Sequence, residues 1–88
     1  MNTETAVVTV YTKPSCPQCR MTYLALDKKG IRYESVDVTT SPAALEYITE
    51  ELGYSQAPVV VVDDETHWSG FRPDKIDQVA AALAAAGH

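Results

Sequence analysis

The chain has 88 residues and a net charge of −5, which allows one domain, 1–88, around one modest core. That acidic balance speaks against a general nucleic-acid or anionic-membrane binder, and 45% hydrophobic with 22% charged residues excludes wholesale disorder. No basic segment precedes an apolar run at the N-terminus, and no apolar stretch approaches the roughly 20 residues that span a bilayer, so the expected location is cytoplasmic.

After a polar start, Met1 to Thr5, the β-branched run Ala6 to Tyr11 suits a central strand buried on both faces. Lys13-Pro14-Ser15 breaks it, and Pro17 fits the first turn of a helix, where its missing N–H is no loss. That helix is predicted to run to about Lys29, with Gly30 as its stop and Met21, Tyr23, Leu24, Ala25 and Leu26 as a broad apolar face. Ile31 to Val38 reads as a second strand. Its apolar phase changes between Tyr33 and Val36, which calls for a bulge or burial on both faces. Ser41-Pro42 caps a second helix with Leu45, Ile48 and Leu52 at helical spacing and Gly53 at its end. Val59 to Val62 is a third strand, Asp63-Asp64-Glu65 a turn, and a short fourth strand lies near His67-Trp68. Pro73 and Asp74 open a last helix, which buries Ile76, Val79, Ala80 and Leu83 and closes at Gly87. The order is β-α-β-α-β-β-α. Two parallel strands and a hairpin make it a small open α/β sheet, which favours ligands beyond the carboxyl ends of strands.

The only two cysteines, Cys16 and Cys19, sit where the first strand hands over to the first helix. Thiols three residues apart there lie on one face within about 6 Å, a gap a disulfide can close. Free N–H groups and the positive helix end favour a thiolate, and Lys13 and Arg20 add positive charge, so Cys16 should titrate below the ordinary value of about 8.5. An exposed Cys16 would attack a substrate disulfide, and a deeper Cys19 would resolve the mixed disulfide. Two blander readings compete. Thiols that merely pack are at odds with this position, and a zinc site lacks ligands, since only His67 and His88 remain and neither has a usual zinc spacing.

With Tyr11-Thr12-Lys13-Pro14-Ser15-Cys16-Pro17-Gln18-Cys19 in view, the chain resembles the glutaredoxin branch of the thioredoxin superfamily. Gln56-Ala57-Pro58-Val59-Val60 looks like the loop that carries the superfamily's cis-proline. Trp68-Ser69-Gly70-Phe71-Arg72-Pro73-Asp74 is similar to the signature of NrdH-redoxins, small electron donors to ribonucleotide reductase, and is far more specific than C-x-x-C. Pro17 departs from the NrdH pattern, where Val or Met is expected, and Gln18 departs from the Tyr typical of glutaredoxins.

The resemblance implies an α/β thioredoxin fold, glutaredoxin-like, with a four-stranded mixed sheet and three helices. It implies a redox-active Cys16–Cys19 disulfide supported by Lys13, Pro17, Gln18, Ala57 and Pro58, with no bound cofactor and no metal. Electrons would come from NADPH through thioredoxin reductase and pass to the large subunit of a class Ib ribonucleotide reductase. Trp68, Ser69, Gly70, Phe71 and Arg72 would face a protein partner, with Trp68 and Phe71 alternatively in the core. No nucleic-acid or membrane partner is expected, and the chain should act as a monomer. The alternatives are a glutaredoxin reduced by glutathione or another low-molecular-weight thiol, and an iron–sulfur carrier in which Cys16 from two chains and external thiols hold the cluster.

Overall fold

Residues 8–63 and 65–85 are described by a computed structural model. Strands β1 (Val8–Thr12), β2 (Tyr33–Asp37), β3 (Val59–Val61) and β4 (His67–Ser69) form one sheet in the order β2-β1-β3-β4. β1 runs parallel to β2 and antiparallel to β3, which is antiparallel to β4, so the sheet is mixed. Helices α1 (Pro17–Lys28), α2 (Pro42–Glu46) and α3 (Pro73–Ala85) complete the expected order. Ala6 and Val7 of the expected first strand and Gly87 of the last helix lie outside the described residues.

Successive strand residues point to opposite faces, and each face has its own core. On one, Val8, Val10, Val60 and Trp68 pack with Leu26 of α1 and Ile76 and Val79 of α3. On the other, Val59 meets Val38 and Ile48, with Tyr11, Ala44, Tyr47 and Leu52 packed around them. Val10, Val59 and Val60 are wholly buried, and each such side chain contributes about 1.5–3 kcal/mol of transfer free energy.

Helix α1 ends as its sequence requires. Gly30, at φ +72°, donates to the Asp27 carbonyl and Ile31 to that of Leu26, so a left-handed residue satisfies two terminal carbonyls. The phase change in β2 has a simple origin. Its register with β1 is unbroken from Val8↔Tyr33 to Thr12↔Asp37, so no bulge exists. Ile31 and Tyr33 serve the first core and Val38 the second, which is burial on both faces.

Two apolar stripes differ from expectation. On α1 the buried positions are Cys19, Thr22 and Leu26, while Met21 and Leu24 are 46% and 62% exposed. Thr22 fits the interior because its hydroxyl donates to the Gln18 carbonyl at 2.9 Å, leaving no lost hydrogen bond. On the second helix Leu45 is exposed. After Glu46 the chain forms a π-helical turn, Tyr47–Glu51, with Leu52 N–H donating to the Tyr47 carbonyl, and the inward stripe becomes Ala44, Ile48 and Leu52.

Candidate redox site

The chain leaves β1 at Thr12, passes through Ser15 in a left-handed conformation (φ +58°) and reaches Cys16 with extended dihedrals, φ −116° and ψ 99°. Cys16 is therefore the N-cap of α1. Its Sγ accepts the Cys19 N–H at 3.1 Å, the role usually filled by a Ser or Asp oxygen. Pro17 follows at the first helical position. Cys16 and Cys19 are joined by a disulfide across a Cα–Cα distance of 5.2 Å. Cys19 is 2% exposed, whereas Cys16 is only partly buried beside an open recess of about 480 Å³ lined by Ser15, Pro17, Arg20 and Met21. In the dithiol form the same N–H and helix end would hold a thiolate at Cys16.

Two further segments converge on this corner. Tyr11 pairs with Val59, so the residue before β3 lies alongside the end of β1. That residue is buried Pro58, and the Ala57–Pro58 bond is cis. The Pro58 carbonyl accepts the Gly70 N–H at 2.8 Å, and the Gln56 carbonyl accepts the Ser69 hydroxyl at 3.1 Å. Gln18, exposed on the first turn of α1, closes the arrangement by accepting the Phe71 N–H on Oε1 at 3.0 Å. Gly70 has φ +86°, and a β-carbon there would lie 3.4 Å from that oxygen. The segment before α3 is thus tied both to the proline loop and to the cysteine helix.

Of the residues singled out in the sequence, Gln18, Pro58, Ser69, Gly70 and Phe71 are joined in this way, and Pro17 adjoins Cys16. Lys13 is exposed in the approach loop and Ala57 half-buried. Trp68, 4% exposed, sits in the α1/α3 core, so its ring is packing and not a platform for a partner. Its Nε1 is buried without a hydrogen-bond partner among the described residues. Phe71 is half-buried against the same core. Arg72 is exposed but occupied: Nε and Nη2 donate to the Asp74 carboxylate at 3.2 and 3.0 Å. Those bonds hold the Asp74 carboxyl below its ordinary range and raise Arg72.

His67, at the start of β4, is half-buried, with Nδ1 2.8 Å from the Tyr54 hydroxyl. The sequence marks no role for Tyr54 and places Gln56 only within the proline loop; a backbone acceptor such as the Gln56 carbonyl leaves no mark on side-chain identity. Among the described residues no three His, Cys, Asp or Glu side chains gather as a metal site.

A mixed sheet with a disulfide-forming cysteine pair at the N-cap of its first helix defines a thiol–disulfide oxidoreductase of the thioredoxin fold. The glutaredoxin family pattern matches residues 8–68. The chain is 39% identical to the glutaredoxin-like protein NrdH of Escherichia coli K12, over 90% of this chain and 95% of that one. It is also 39% identical to the gene 56 protein of Mycobacterium phage L5, over 84% and 72%. The solved NrdH-redoxin of Escherichia coli, described as having a thioredoxin-like activity profile, superposes with a TM-score of 0.76 over 82% of this chain and 92% of that one, at 39% identity. This chain belongs to the glutaredoxin family, among its NrdH-like redoxins.

Proposed function

We propose that the chain is an electron carrier that takes electrons from NADPH through thioredoxin reductase and delivers them to the disulfide of a class Ib ribonucleotide reductase large subunit. It acts as a cytoplasmic monomer, with Cys16 as nucleophile and Cys19 as resolving thiol. The Cys16 thiolate attacks one sulfur of the target disulfide, which breaks and releases one target thiolate. Cys19 then loses its proton and attacks Cys16 Sγ, releasing the second target thiolate. Two electrons pass to the target, and the Cys16–Cys19 disulfide remains for the reductase to reopen.

The observation that favours this reading over a glutathione-dependent one is the state of the α3 entry. The Phe71 N–H is taken by Gln18, and the Arg72 guanidinium is paired with Asp74, so two donors that this segment could offer a small-thiol carboxylate are occupied. The test is NADPH consumption by the oxidised protein with thioredoxin reductase, or with glutathione and glutathione reductase. Thioredoxin reductase alone should sustain turnover. Equal rates with the glutathione system would move the assignment to an ordinary glutaredoxin.

A further inference from the structure

The outer face of α1 carries side chains that neither the fold nor the exchange chemistry uses. Pro17, Arg20, Met21 and Leu24, spaced i, i+3, i+4 and i+7, fall on one side of the helix, turned away from Cys19, Thr22 and Leu26. All four are exposed. Three large apolar residues are exposed among the described residues, and two of them, Met21 and Leu24, are here. The strip starts at the recess beside Cys16 and extends about 10 Å along the helix at about 1.5 Å per residue. A partner segment that runs from Cys16 along α1 would lie on it.

Its charge is opposite to that of the molecule. The chain carries −5, yet the groups flanking Cys16 are Lys13 and Arg20, and Lys28 ends the same helix face. None of the three makes an ion pair or a side-chain hydrogen bond among the described residues, whereas Lys29 and Arg72 are paired with Asp77 and Asp74. Free cations beside two exposed apolar side chains form a surface complementary to carboxylates interspersed with apolar groups.

We propose that this strip docks the polypeptide segment bearing the disulfide that Cys16 attacks, and that it selects segments with acidic residues and an apolar side chain next to that disulfide. Arg20 and Lys13 meet the carboxylates, and Met21 and Leu24 the apolar group. The proposal rests on the thiol–disulfide exchange described above and adds which disulfides are exchanged fastest.

The test uses three synthetic peptides, each with one intramolecular disulfide: one flanked by Asp and Leu, one by Lys and Leu, one by Asp and Ser. Single-turnover reduction by the dithiol protein is followed by quenching and chromatography. Rates are compared as ratios within each protein variant, so that any change in the Cys16 thiolate population cancels. The wild type should reduce the acidic peptide about fivefold faster than the basic one at low ionic strength, with the gap closing in about 1 M salt as the screening length shrinks to about 3 Å. Arg20→Glu should abolish or invert that ratio, and Leu24→Ser should remove the preference for Leu over Ser. Equal rates for acidic and basic peptides in the wild type, or a ratio that Arg20→Glu leaves intact, would overturn the proposal. Failure of the exchange reading itself looks different: the wild type would reduce none of the peptides.

Discussion

Replacing Gln18 by Ala removes the side-chain bond between the cysteine helix and the α3 entry. The bond is a neutral N–H···O contact of 3.0 Å at an exposed position. Such bonds contribute about 0.5–1.5 kcal/mol net, and access of water to the freed Phe71 N–H puts this one at the lower end, about 0.5–1 kcal/mol. For a domain of this size that corresponds to a fall in Tm of about 2–8 °C. The more specific readout is amide exchange. The Phe71 N–H should lose protection, while the Gly70 N–H, bonded to the Pro58 carbonyl at 2.8 Å, keeps it. Gln18→Glu preserves an acceptor in the first turn of α1 and should restore Phe71 protection, while its negative charge raises the Cys16 thiol pKa. Unchanged Phe71 exchange in Gln18→Ala would refute the claim that this side chain braces the segment.

Gly70→Ala should destabilise by about 1 kcal/mol or more, because φ +86° disfavours any β-carbon, and chemical denaturation would show it. On α1, Leu26→Ala should cost about 2–5 kcal/mol, whereas Leu24→Ala, two residues away, should stay within about 0.5 kcal/mol. The Asp37 carboxyl, bonded by the Thr39 hydroxyl and N–H, and the Asp74 carboxyl, bonded by Arg72, lie below their ordinary value of 3.8. A carboxyl whose pKa is lower folded than unfolded stabilises above the unfolded value and loses that contribution as pH falls through the folded one. Denaturation midpoints should therefore fall below about pH 4, and Asp37→Asn should flatten that acid limb.

Periodicity and punctuation carried most of the fold. Ser41-Pro42, Pro17, Gly30 and Pro73-Asp74 mark their helix ends because each acts locally: the prolines and Gly30 through backbone geometry, Ser41 through its hydroxyl, which accepts the Ala44 N–H, and Asp74 as an acidic residue in the first turn. The helix faces were harder to read. Thr22 looks polar in sequence but satisfies its hydroxyl within its own helix, so it can be buried while Met21 and Leu24 turn outward. On the second helix Ala44 and Leu45 both stand at helical spacing from Ile48; Ala44 turns inward and Leu45 is exposed, a choice that spacing alone does not make. At the redox site, strand, cysteine pair and helix were legible as a local motif. The bond from Gln18 to Phe71 spans 53 residues of sequence and depends on how α1 and the α3 entry meet in space. The burial of Trp68 has the same origin, since its pairing with Val60 across β3 and β4 puts that ring on the face packed against α1 and α3.

The division of labour between the two thiols is the centre of the account, and trapping tests it most directly. The dithiol protein and its Cys16→Ser and Cys19→Ser variants are each mixed with a disulfide-bearing target and analysed by non-reducing electrophoresis and mass spectrometry. With Cys16 partly exposed at the N-cap and Cys19 2% exposed behind it, Cys19→Ser should accumulate a mixed disulfide through Cys16, and Cys16→Ser should accumulate none. A stable adduct through Cys19 in Cys16→Ser, with none in Cys19→Ser, would contradict the account.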